Sequence, residues 1–267
     1  MSSSDTTRAY YLQGLYHGRM SVHDRFGDRA DEYARTRPTY PEALFQLLER
    51  LAPARDLAWD CGAGSGQTAL SLARSFARVL ATDSSRRQLA RLAAHDRIDL
   101  VAAAAEAIPF RERIVDLVTV SAAIHWFDRP RFYAEVRRVA RPGAIVAVWS
   151  YYQTRIAPDI DVVLKRFADE VVGPYWGPEI VVNRNAYRDL DFPFDRLPWP
   201  ELHAEAHMRL ADFCQYMRTW SASVAWESAR GTNPVDVVRG DLARAWGDAE
   251  SKRVIRWPLH GAIGRVE

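Results

Sequence analysis

The sequence predicts an α/β fold built on a mostly parallel sheet. Three observations carry the prediction. Short runs of β-formers alternate with helical stretches from residue 57 to residue 149. Two of those runs, IVDLVTVS (114–121) and AIVAVW (144–149), are apolar nearly throughout, as strands covered on both faces are. A glycine-rich turn, CGAGSG (61–66), joins the first strand to the helix after it.

The elements follow in order. Residues 5–20 are weakly helical, and 28–35 read as a short helix. RPTYP (37–41) breaks it, and Pro41 suits the first turn of a helix through Leu51, with Leu44, Leu47, Leu48 and Leu51 as its apolar stripe. Strands are expected at 57–60, 78–83, 98–103, 114–121 and 144–149. Helices are expected at 67–77, 84–94 and 130–140, the second opening on two cap-competent serines. A helix over 159–172 ends at Gly173-Pro174, and residues 174–200 read as an irregular lid. ELHAEAHMRL (201–210) alternates apolar and polar side chains, the mark of a half-exposed strand. Helices are expected at 212–229 and, capped by Asn233, at 234–247. A last strand begins at 253–257.

The 267 residues are 48% hydrophobic, ample for a buried core, and the net charge is +2 without a Lys/Arg block. Nucleic acid is therefore not an expected partner. Two distant cysteines, Cys61 and Cys214, fit a reducing compartment. No signal-like or membrane-spanning run occurs, so a cytoplasmic protein without membrane contact is expected. His203 and His207 would stand about 13 Å apart on a strand, too far for one ion, and no metal is expected.

The glycine turn is the chemical centre of the sequence. In parallel sheets ligands sit at the carboxyl ends of strands. Gly62-x-Gly64-x-Gly66 puts Gln67 where a dinucleotide fingerprint would place its third glycine, and no P-loop lysine follows. Asp60, two residues before the first glycine, is a poor neighbour for phosphate and a good one for an ammonium group. Asp83, ending the second strand, can accept both hydroxyls of a ribose. An ammonium plus a ribose without a phosphate describes S-adenosylmethionine.

Five segments in order, D-x-G-x-G-x-G (60–66), ATDSS (81–85), AAAEAIPF (103–110), DLVTVSAAIHWFD (116–128) and RRVARPGAIVAVW (137–149), resemble the class I S-adenosylmethionine-dependent methyltransferases. The flanks FGDRADEYARTRPTYP (26–41), YMRTWSASVAW (216–226) and RVIRWPL (253–259) are similar to the small-molecule subgroup of the trans-aconitate methyltransferases. The resemblance implies a Rossmann-like, seven-stranded, mostly parallel sheet in one domain. N-terminal cap helices would occupy 1–52, the cofactor core 53–150, a lid with the acceptor region 151–250 and the last strand 251–267.

It also implies roles. Asp60, Gly62, Ala63, Gly64, Gly66, Asp83, Ser84 and Ser121 would contact the cofactor, and Tyr33 would close over it. The loop at Ala105 and Glu106 would lie along the adenine. Many relatives carry an aspartate where this chain has Ala105, so a backbone contact takes its place. His125 has two readings, a general base or a pocket histidine that shapes the site. Arg37 reads as a cation for an acidic substrate or as a surface ion pair. Tyr40, Trp126, Trp176 and Trp220 read as acceptor contacts or as packing.

The implied reaction is in-line methyl transfer to a small molecule, with S-adenosyl-L-homocysteine leaving, by a monomer or homodimer. Without an unambiguous base, a carboxylate or another acidic acceptor is favoured. A phenol, nitrogen or carbon acceptor, a macromolecular acceptor, a non-catalytic nucleoside-binding protein and a nicotinamide oxidoreductase stand as alternatives.

Overall fold

A computed structural model describes residues 38–177 and 180–267. The expected helices at 5–20 and 28–35, with Tyr33 and Arg37, lie outside these residues. Helix α1 (Glu42–Leu51) comes first, entered through Pro41 and burying Leu44, Phe45 and Leu48. Strand β1 (Leu57–Cys61), helix α2 (Gln67–Leu72) and strand β2 (Arg78–Asp83) follow. Next come α3 (Arg86–Leu89), β3 (Ile98–Ala102), β4 (Val115–Ser121), α4 (Arg129–Val139) and β5 (Ala140–Tyr151). The strands pair in the order β3-β2-β1-β4-β5, all parallel.

The long strand β8 (Arg253–Arg265) closes this sheet. From Leu259 to Arg265 it runs antiparallel along β5, and its far edge takes the short strand β6 (Asp195–Leu197). From Arg253 to Pro258 it pairs instead with β7 (His203–Met208). Pro258, which has no N–H to give, stands where the partner changes from β7 to β5. The path β3-β2-β1-β4-β5-β8-β6 holds seven strands, and β7, the strand expected at 201–210, pairs with β8 off that path, so the described sheet has eight; the one not expected is β6, inside the segment read as an irregular lid. The last strand therefore runs well beyond 257.

Both faces of the sheet are covered. Trp59 packs on Phe110 and Phe132 on the α4 side. Trp149 packs on Tyr40 on the α1 side, ring centroids 5.4 Å apart and nearly perpendicular. Main-chain needs at the amino edge are met by Asp116. It is fully buried, accepts from the N–H groups of Asp56 and Leu57 at 2.9 and 3.0 Å, and pairs with Arg141 at 2.8 Å. No described helix is long and apolar enough to cross a membrane.

The segment after β5 departs most from expectation. Helix α5 (Pro158–Arg166) continues through one wide π turn, Phe167–Val171, closed by Val172 N–H donating to Phe167 O at 2.9 Å. The expected irregular lid contains helix α6 (Ile180–Arg184) as well as β6. The single helix expected at 212–229 is two, α7 (Leu210–Arg218) and α8 (Ser221–Arg230). Side chains break it: Thr219 Oγ1 donates back to Tyr216 O at 2.7 Å, Ser223 Oγ to Met217 O at 2.7 Å, and Trp220 is extended between them. Asn233 does cap, but over a 3-10 turn (Pro234–Val237) that precedes α9 (Arg239–Trp246). Helices α2 and α3 are shorter than the 67–77 and 84–94 expected. The cap of α3 is Ser85, whose Oγ accepts from Gln88 N–H; Ser84 is exposed.

Candidate functional site

The glycine turn lies at the carboxyl edge of the sheet, between the ends of β1 and β2. Gly62, Gly64 and Gly66 all hold positive φ, at +69°, +54° and +87°. The turn is tied to β2 twice: Ala63 N–H donates to Thr82 O, and Gly64 N–H donates to Asp83 Oδ2, both at 2.9 Å. Asp83 Oδ1 accepts from Ser85 N–H at 2.8 Å. One carboxylate thus joins the glycine turn to the start of α3, and each oxygen keeps a lone pair for something outside. A Cβ built on Gly64 would meet nothing within 4 Å, so bare backbone faces open space there.

Asp60 sits beneath the turn, 0% exposed. Thr119 on the neighbouring β4 donates to its Oδ1 at 2.9 Å, while its Oδ2 is buried without a partner. Burial pushes this carboxyl up to about 7. The Thr119 hydrogen bond and the Ala69 backbone pull the other way, and the nearby Asp83 charge adds to the rise. Asp60 and Asp116, both wholly buried in one sheet, differ in kind: Asp116 is paid in full by its partners, and Asp60 is not. Cys61 is buried and its thiol pushed up by the same burial, so it carries no nucleophilic role.

A pH experiment follows from Asp60. Its folded value lies above the unfolded value of 3.8, so its contribution to stability is full below pH 3.8 and is lost as pH rises through 7. Asn in its place keeps an acceptor for Thr119 and does not titrate. Asp60→Asn is expected to gain stability relative to the parent as pH rises from 4 to 8, read from urea midpoints at each pH.

The other expected cofactor residues divide. Ser121, ending β4, is half-buried and receives the Thr68 hydroxyl at 3.1 Å. Ala105 is buried. Glu106 is engaged elsewhere: its Oε1 accepts at 2.8 Å from the N–H of Asp128, the residue that caps α4. Ser84 points to solvent. Tyr40 packs on Trp149 and Tyr151.

Beyond Ser121 the chain makes a tight turn through Ala122, at φ +51°, into the 3-10 turn Ile124–Trp126. Here a cavity of ≈ 390 Å³ opens between the ends of β4 and β5 and the segment after β5. It brings together His125 and the tryptophans Trp126, Trp176 and Trp220. Trp126 thus faces the lid. Helix α5 contributes Asp161, Leu164 and Lys165, and the π turn adds Ala168 and Asp169. Arg155 also stands in the wall, near Gln153 (2.6 Å) and Asp161 (3.9 Å), while Lys165 pairs with Asp169 at 2.6 Å.

Sequence reasoning missed three residues around His125. Tyr187 is 2% exposed, with its hydroxyl 3.5 Å from His125 Nδ1. His260 stands edge-on to Tyr187, centroids 5.0 Å apart, with Nε2 2.8 Å from Asn183 Oδ1. Burial pulls His125 down to about 4, helped by His260, and pulls His260 down to about 4 as well. Both rings are neutral at pH 7. The signal available was an Asn and a Tyr four residues apart at α6 and a His on the distant β8, with no pattern linking them to His125.

Comparisons with known proteins agree on the family. Residues 59–148 match the model of a methyltransferase domain. A Dictyostelium discoideum protein named as a methyltransferase is 30% identical over 251 residues, covering 91% of this chain and 95% of that one. A solved structure from Anaeromyxobacter dehalogenans, described as a type II methyltransferase, is 40% identical with a TM-score of 0.81, covering 86% of this chain and 98% of that one. The malonyl-[acyl-carrier protein] O-methyltransferase of Methylococcus capsulatus is 32% identical over 123 residues, 43% of this chain and 45% of that protein.

Proposed function

Because the chain belongs to the S-adenosylmethionine-dependent methyltransferases, we propose that it methylates an oxygen of a small acidic acceptor, a carboxylate, held in the cavity beneath the lid. The observation that carries this reading is the cavity itself, with Arg155, Lys165 and a neutral histidine, His125, in its wall. A relative named for O-methylation of malonyl-[acyl-carrier protein] supports the oxygen of an acid as the acceptor atom.

The residues at the glycine turn fit the cofactor. Bare backbone at Gly64 faces open space, Asp83 has lone pairs to spare for two hydroxyls, and Asp60 Oδ2 is a buried acceptor without a donor. Asp83 would hold the ribose and the turn would underlie the amino-acid end. The loop at Ala105 would lie along the base through its main chain, since Glu106 is engaged with Asp128. Asp60 would act from below and not by contact, because it is wholly buried, and its carboxyl, raised to about 7, carries only part of a negative charge at neutral pH. When bound, S-adenosylmethionine supplies an activated methyl group. The chain's own residues hold the acceptor in line with it and keep water out.

His125 supports an acceptor that needs no base. A phenol ionises near 10. A histidine drawn down to about 4 would take that proton against about six powers of ten. A carboxylate is already ionised at pH 7 and needs no base. The wall suits such an anion modestly. Arg155 and Lys165 each face a carboxylate, so a bound acid exchanges one ion pair for another.

The test is the product. The protein is incubated with methyl-labelled S-adenosylmethionine and panels of small carboxylic acids, phenols and amines. Label recovered as a methyl ester, released by mild alkali, is the expected result; an ether or N-methyl product sinks the reading. Arg155→Gln and Lys165→Gln are expected to raise KM for the acid about tenfold each, leaving KM for S-adenosylmethionine unchanged.

A further inference from the structure

Tyr187 is delivered to its place at some conformational expense. Ala186 and Tyr187, just after α6, both hold left-handed backbone at φ +52° and +56°, a region that non-glycine residues seldom occupy. The turn carries the Tyr187 ring into the core under β5, edge-on to His260, and brings its hydroxyl to the Nδ1 edge of His125. Such strain persists only where the surroundings hold it, and here they do. Asn183 Oδ1 can only accept, so His260 Nε2 donates to it; Asn183 Nδ2 donates to Tyr151 O at 3.3 Å. The polar link fixes α6 to β5 and β8, and with it the base of the turn.

We propose that Tyr187 is a positioning residue for His125: its hydroxyl donates to Nδ1, so the ring carries its proton on Nε2 and offers the cavity an N–H, not a lone pair. The argument is one of supply. A buried hydroxyl must give its proton to something. Tyr187 stays a phenol, since burial pushes it far above its ordinary value. His125 Nδ1 lies in reach at 3.5 Å. The competing acceptor is the Ser150 hydroxyl, which bears on Tyr187 and sends its own proton toward Tyr151 O at 3.4 Å. An imidazole nitrogen is the better acceptor of the two, because it is the more basic. With Nδ1 filled, Nε2–H is what a ring in the cavity wall has left to offer. An ionised carboxylate oxygen accepts from it; a protonated phenol gains no base from it. The tautomer stands without regard to the acceptor, on the placement of Tyr187 beside His125, while the contact with a carboxylate rests on the reading of the acceptor given above.

The experiment is nitrogen NMR on the full chain. Imidazole 15N–1H correlations are recorded at pH 7, with His125 assigned by the signal lost in His125→Gln. The expected spectrum has His125 neutral and protonated on Nε2. In Tyr187→Phe its Nδ1 resonance should move toward that of an unbonded nitrogen, while His260, held by Asn183, stays in place and reports that the fold is intact. Ser150→Ala, which removes the competing acceptor, should leave His125 as it was. A His125 protonated on Nδ1 overturns the proposal, and so does a His125 that ignores the loss of the Tyr187 hydroxyl. Should Tyr187→Phe not fold, the parent spectrum and Ser150→Ala decide alone. No methyl transfer is needed for any of these readings, so a failed acceptor screen and a failed tautomer are told apart.

Discussion

Asp83→Ala is expected to weaken S-adenosylmethionine and S-adenosylhomocysteine binding about a hundredfold, close to 3 kcal/mol. The carboxylate serves twice. It accepts from Gly64 and Ser85 N–H groups, and these hold the glycine turn against the start of α3. It also offers the lone pairs that would take the ribose hydroxyls. Alanine removes both at once: the N–H groups lose their acceptor and the ligand loses its anchor. Titration calorimetry measures the effect, with NADH as a control ligand. Asp83→Asn separates the two roles, since an amide oxygen can still accept one loop N–H. Affinity that survives in Asp83→Ala would mean that the ribose is held elsewhere and that the acid is only a turn device.

The largest loss of stability is expected from Gly261→Ala. Gly261 faces Trp149 in the β5–β8 ladder. A Cβ there would lie 2.3 Å from Val148 O and 2.7 Å from the Trp199 ring. The first neighbour is backbone in the middle of the sheet and cannot step aside as a side-chain tip could. The strands must part or Trp199 must leave, and Trp199 is bonded through Nε1 to Leu259 O at 3.3 Å. A cost of about 3 kcal/mol or more is expected, as for other forced overpacking in cores. A urea midpoint within error of the parent would show that β8 can be displaced at little cost.

These two residues mark what could be read from sequence and what could not. Asp60, the glycine turn, Asp83 and the strands around them are local: each strand is a run of β-formers, and each acid sits at a strand end a few residues from the turn it serves. Pattern alone therefore places them in one edge of a parallel sheet. The lid is not local. Its helix breaks at Thr219 because side chains there bond their own backbone, and no apolar period records that competition. Ser85 caps α3 where Ser84 was an equal candidate, because only the geometry after Asp83 distinguishes two adjacent serines. Tyr187 and His125 are 62 residues apart, and Asn183 and His260 are 77 apart. Such a cluster leaves no trace in composition or spacing, since each member alone reads as packing. The acceptor residues were named chiefly as aromatics, and the cavity does gather Trp126, Trp176 and Trp220. Its charged wall, from Arg155 to Asp169, was invisible because α5 reads as an ordinary amphipathic helix with a solvated face.

The sharing of β8 between β5 and β7 has a consequence for how the chain comes to be folded. Arg265 reaches back 122 residues to give a hydrogen bond to Gly143 O, and the β5 edge has no partner until that strand arrives. On a ribosome adding about 5–20 residues each second, β1 to β5 would emerge several seconds ahead of β8. During that interval the apolar edge of β5 is open to any extended strand nearby, including another nascent copy of the same segment. Ladder formation over so long a separation is also slow, because the loop must close before it is rewarded. One strand thus gates two maturations together, the sealing of the cofactor sheet and the anchoring of β7 beside the lid, so that a partly made chain would have neither a finished floor nor a finished roof for its ligand.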